Sequence, residues 1–253
     1  EAARTDPGSI ASQAMALYFD PWPAGHPLHV DTIEESLERV RALKRDDLVA
    51  FHRDFYGTSR GEIAVVGDFD AEALEKQLQE LFAGWDSPRP YRPIATRHHA
   101  VDPLVSKLPV ADKPNAVLLA RHNIPLRYSD DDYLALSVAN RVFGGDSMTS
   151  RLGNRIRQKE GLSYGVGSQV NADDSIDGTD DDGSFVIQAI AAPQNMERVD
   201  VAVREELARL LADGITAEEL RDAVSGLLTE LEQGRASDGH LAGILQDQLF
   251  HGR

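Results

Sequence analysis

The sequence contains no cysteine, which removes disulfides, cysteine-ligated zinc, iron–sulfur clusters and thiol catalysis together. Long apolar runs are missing too: stretches such as 63–66 and 189–192 fall far short of the roughly 20 residues that cross a bilayer. No membrane span is expected. Positive charge is scarce, with 26 Lys and Arg against 42 Asp and Glu, and the formal charge of -16 repels phosphate backbones and anionic lipid. Nucleic acid is not an expected partner. The chain opens on Glu1 without an initiator methionine or the basic and apolar regions of a signal peptide, which reads as a processed or excised piece. What remains is ordinary globular usage: 42% apolar residues in 253, enough chain for one large unit or two smaller ones.

Apolar periodicity places helices at 8–19, from Glu34 past Leu43, from Asp46 to Phe55 and over 70–85, each opened by acidic or hydroxyl residues. Residues 61–68, GEIAVVGD, read as a buried strand closed by a turn. Composition then changes over 86–114, with SPRPYRP, a His-His pair and at most a short strand near 105–110, which marks the best domain boundary. Beyond it come a strand at 115–121, helices at 130–143 and 148–160 ended by glycines, strands at 162–170 and 184–191, and long helices at 195–212 and 217–233. Strands mixed with long helices without strict alternation give an α+β layered fold.

For chemistry, the absences again come first. None of the eight histidines lies in H-E-x-x-H or H-x-x-E-H, so no complete zinc-hydrolase site is encoded, and His98-His99 read as exposed linker histidines. Asp130, Asp131 and Asp132 sit where carboxylates offset a helix dipole. The acidic stretch 172–183 lacks the spacing of an EF-hand and reads as a solvated hairpin loop. Ser163 and Ser168 have no arranged histidine nearby, so nothing recommends a serine triad.

One signal remains, in RIRQKEGLSYGVGS. Arg157 ends a helix, Gly161 lets the chain turn, and Tyr164 opens a strand, so both side chains can project over one lip. A fixed cation and a phenol can donate hydrogen bonds to a peptide carbonyl or to the oxyanion formed when water attacks it. Spacing alone favours the plainer roles, an arginine complementing the dipole and a tyrosine packed in a strand.

Four segments taken in order change that balance: RALKRDDLVAFHRDFYG, GEIAVVGDFDAEALEKQLQELFAGW, NRVFGGDSMTSRLGNRIRQKEGLSYGVGSQV and FVIQAIAAPQN. Across roughly residues 30–233, with a fainter match over 1–30, they resemble the pitrilysin/insulinase family of zinc metallopeptidases in the part that follows the zinc-binding domain. The resemblance implies helices packed on a mostly antiparallel sheet, in a clam of two similar halves closing on peptides or small unfolded proteins. It implies that residues 1–90 are the C-terminal portion of one domain and 97–253 most of the next, lacking its last helix and strand. Arg157 and Tyr164 match the substrate-contacting arginine and tyrosine of the half without the metal motif, while Ser150, Arg151 and Leu152 match a segment expected to position the helix carrying Arg157. By the same resemblance this segment binds no zinc and is inactive alone. Zinc belongs to the full enzyme, held by a catalytic half in the same protein or in a partner subunit, against which the apolar helix faces would pack. The implied compartment is the periplasm or cell envelope, with the cytoplasm as the other choice. The other reading of the same fold is a proteolytically inactive peptide-binding or scaffold domain. The acidic loop at 172–183 is longer than the short hairpin of the family.

Overall fold

The helices form where local caps and periodicity dictate. Asp6 accepts from Ser9 N at 2.7 Å to open α1 (Pro7–Tyr18), with proline in the first turn. Thr32 and Glu35 form a reciprocal capping box at α2 (Ile33–Ala42), and Asp70 caps α4 (Ala71–Phe82), which follows α3 (Arg45–Phe55). These coordinates are a computed structural model, which describes residues 2–173, 175 and 179–252.

Contacts divide the chain into two units, one of Glu1–Ser36 with Thr96–Leu227, the other of Leu37–Ala95 with Leu228–Arg253. This grouping differs from the division read at 90–97. Residues 1–36 go with the later segment because Tyr18 Oη donates to Asp102 O at 2.7 Å, a His99 ring nitrogen lies 3.0 Å from Phe19 O, and α1 packs on the first strand.

The first unit is built on three strands, β1 (Ala116–Pro125), β2 (Ser163–Asn171) and β3 (Asp182–Ala191), in the order β1-β3-β2 with both pairings antiparallel. Alternation along β3 sends Phe185, Ile187, Ala189 and Ala191 into the core. There they meet Val199, Ala202 and Val203, spaced to share one face of α6 (Met196–Asp213). Phe143, Leu152 and Ile156, each at 0% exposure, complete the cluster, and each such side chain contributes about 1.5–3 kcal/mol by leaving water. Their backbone is unusual. Helix α5 (Asp131–Asn140) passes directly into a π-helical turn, Arg141–Gly145, and a second one spans Gly153–Lys159. Both are pressed hard against neighbours: a Cβ on Gly144 would lie 2.8 Å from Ser168 N, and one on Gly153 would lie 2.6 Å from Ser147 O. The unit continues into α7 (Ala217–Arg235).

The second unit holds α3, α4 and α8 (Asp238–His251), none of which contains a buried residue. Residues 61–68, expected as a buried strand, are corrected here. They run without a ladder partner among the described residues, leaving Ile63 at 52% exposure and Val65 at 44%. Their β-branched alternation suits a strand, but a strand needs a neighbouring backbone to bond. The short strand expected near 105–110 is likewise unpaired. Exposed apolar helix positions are numerous, Leu134 and Leu211 among them. No helix among the described residues is long and apolar enough to cross a membrane.

Candidate functional site

The segment carrying the candidate pair is anchored before it reaches either residue. Asp146 Oδ1 accepts from Met148 N and Thr149 N, both at 2.8 Å, and these bonds hold its carboxyl below the usual range. Ser150 is buried and its Oγ accepts from Gly153 N at 3.2 Å, while Leu152 is sealed in the core. Arg151 grips Glu219 with both arms of its guanidinium, Nε to Oε1 at 2.7 Å and Nη2 to Oε2 at 2.8 Å, and also reaches Gly214 O. Glu219 is itself the N-terminal capping partner of Thr216 on α7, so this clamp joins α7 to the site segment. Arg155 is surrounded by Glu160, Glu205 and the buried Glu206, which raise its pKa. Both arginines are therefore structural.

The Arg151 partnership, with help from Thr216, lowers the Glu219 pKa from the usual 4.5 to about 2. A depressed carboxylate stabilises the fold fully above its unfolded pKa and loses that contribution as pH falls towards the folded value. The stability gap between the natural chain and Glu219→Gln is expected to be largest near neutrality and to close as pH falls from about 4.5 to about 2. Urea titrations across that range measure it; equal pH dependence in both chains would contradict the clamp.

Arg157, two residues further on, is exposed, and its side chain makes no hydrogen bond or ion pair among the described residues. Gly161 then turns the chain with φ 60°, where the absence of a Cβ avoids strain. Tyr164 follows at 65% exposure, so it is not the packed strand tyrosine that spacing favoured. The reason is a β-bulge. Ser163 pairs with Ala191 and Gly165 with Ile190, leaving Tyr164 as the extra residue between them, and such an insertion re-aims its side chain out of the sheet's alternation. Arg157 and Tyr164 line one open cleft of about 410 Å³, floored by the turn 161–163 and the end of β3. The structure thus brings together the two residues the sequence singled out.

Two further residues of the cleft carried no usable signal. Asn115 lies just before β1, and Asn195 stands at the N-cap of α6, a position where asparagine commonly caps with its side chain. Its side chain makes no cap bond and instead donates weakly to Leu162 O at 3.4 Å. The cleft therefore offers a cation, a phenol and two amides, groups suited to carbonyl oxygens and amides of an extended peptide.

Other expectations need revision. His98 and His99 are half-buried, not exposed, because His98 N donates to Asp181 Oδ1 at 2.7 Å and His99 lies against Phe19 O. Residues 174 and 176–178 of the acidic loop lie outside the described residues. Its described aspartates are not freely solvated: Asp180 accepts from Thr96 N and Asp173 from Thr96 Oγ1. Among the described residues no three His, Asp or Glu side chains converge to hold a metal ion.

The fold is an α+β layered domain, with helices on a small antiparallel sheet. The family described as the peptidase M16 inactive domain matches residues 42–227, and the chain belongs to that family. An uncharacterised zinc protease of Mycobacterium leprae is 29% identical over 97% of this chain and 53% of its own length. One from Streptomyces coelicolor is 25% identical over 92% and 52%. The chain spans about half the length of the curated relatives it matches. Among solved structures, the peptidase M16 inactive domain from Pseudomonas fluorescens shares the fold with a TM-score of 0.69 at 22% identity, over 99% of this chain and 57% of that one.

Proposed function

We propose that this chain is the non-catalytic, substrate-binding half of a zinc-dependent endopeptidase that degrades peptides or small unfolded proteins. The metal is held by a catalytic half in the same protein or in a partner subunit. The observation that carries this reading is the pairing of Arg157 and Tyr164 in one solvent-open cleft, the cation without a carboxylate partner among the described residues while Arg151 and Arg155 beside it are neutralised. The names of the relatives and the half of their length that this chain matches support it. In this role the Arg157 guanidinium holds a substrate carbonyl, and the Tyr164 hydroxyl donates to the oxygen that gains charge when the carbonyl is attacked.

The test is peptide hydrolysis in the presence of zinc, by this chain alone and by this chain combined with a zinc-binding half. Activity in the combination only, reduced at least tenfold by Arg157→Ala, is the expected result, since a charge-assisted hydrogen bond contributes about 1.5–3 kcal/mol. Hydrolysis by the chain alone would overturn the reading. A silent combination that still binds peptide would point to an inactive peptide-binding scaffold.

A further inference from the structure

We infer that Ser163 is a positioning residue, holding the bulge that turns Tyr164 into the cleft; the inference rests on the reading of the cleft proposed above. Ser163 is buried at 6% exposure, and its hydroxyl occupies the place where the β2–β3 ladder is interrupted. The oxygen lies 2.6 Å from Ile190 O and 2.9 Å from Gly165 O, between which its proton is shared, and it accepts from Gly165 N at 3.1 Å. One side chain thus joins the residue before Tyr164 to the residue after it and to the neighbouring strand. At a bulge the regular exchange of backbone bonds fails locally, and buried amides and carbonyls need other partners. The serine hydroxyl can supply both kinds, which an alanine cannot.

Tyr164 depends on that irregularity. In a regular strand side chains alternate between faces, so a ladder that closed up by one residue would carry Tyr164 with it. Removing the hydroxyl takes away the bonds that span the extra residue and frees the segment to shift. Ser163 is not a nucleophile in this arrangement, because its proton goes to backbone carbonyls.

The experiment is a double-mutant cycle on this chain combined with a zinc-binding half, with peptide hydrolysis as the readout. Ser163→Ala is expected to lower kcat about 10-fold to 100-fold, the loss a misplaced group can cause. KM should stay within about threefold, because the lost interaction belongs to the transition state. The double variant Ser163→Ala/Tyr164→Phe should be no slower than Tyr164→Phe, since the serine acts only through the phenol. Ser168→Ala, on the same strand as Ser163, is the structural control: it deletes a 2.6 Å bond to Asn140 Oδ1 at the end of α5 and should lower Tm while leaving kcat unchanged. Ser163→Cys keeps the side chain's size with a weak donor, and replaces the alanine variant if that fails to fold. A normal kcat in the folded Ser163 variant, or losses that add in the double variant, would overturn the positioning role while leaving the cleft intact. If Tyr164→Phe alone has no effect, the reading of the cleft fails first, and the inference with it.

Discussion

In the role proposed for it, Tyr164→Phe is expected to lower turnover by this chain combined with a zinc-binding half about 100-fold to 1000-fold, the usual cost of deleting one donor to a developing oxyanion. The substitution removes one hydroxyl and keeps the ring, and at 65% exposure the side chain contributes little to the core. Stability should therefore be unchanged within about 0.5 kcal/mol, as for surface substitutions generally. The loss should appear in kcat and kcat/KM together, because the hydroxyl meets its full charge only as the carbonyl is attacked. An unchanged kcat would remove Tyr164 from the reaction and leave Arg157 as a simple peptide contact. Combining Tyr164→Phe with Arg157→Ala should cost less than the product of the single losses, because groups acting on one transition state are not additive.

The largest effect on stability is expected from Phe143→Ala. Phe143 is fully buried in the π-helical turn after α5, with its ring centroid 5.9 Å from that of Phe185 on β3. Deleting a buried phenylalanine costs about 3–5 kcal/mol through lost transfer energy and the cavity left behind. That is a large share of the roughly 5–15 kcal/mol by which domains are stable. Urea unfolding followed by tryptophan emission measures it, using a Trp85→Phe background so that Trp22 reports on the sheet-bearing unit alone. The midpoint should fall sharply with little change in slope. A loss below about 1 kcal/mol would mean that the π turn is not packed as described.

The helices were legible in the chain because their causes are local. Asp6, the Thr32–Glu35 box and Asp70 cap helices within three residues of themselves, and the apolar positions of α4 and α6 repeat at helical spacing. The three strands of the first unit were expected at 115–121, 162–170 and 184–191, where they form, and Arg157, Gly161 and Tyr164 were legible as a helix end, a turn and a strand start. Residues 61–68 carry a strand's local pattern, but pairing depends on a neighbour, and local pattern contains no information about one.

By itself, then, the sequence located the capped helices and the three strands that pair, excluded cysteine chemistry, and singled out the two residues worth testing. Tertiary structure alone decided which charges are spent and which are free. Arg151 meets Glu219 across 68 residues and Arg155 meets Glu206 across 51, partners that lie far outside the segment the three arginines share. It also decided the bulge at Tyr164, the convergence of Asn115 and Asn195 on the same cleft, and the burial of Ser163. The physical reason is range: capping and periodicity act within one or two turns of backbone, whereas desolvation, ion pairing and strand register are set by groups that only the folded chain brings together.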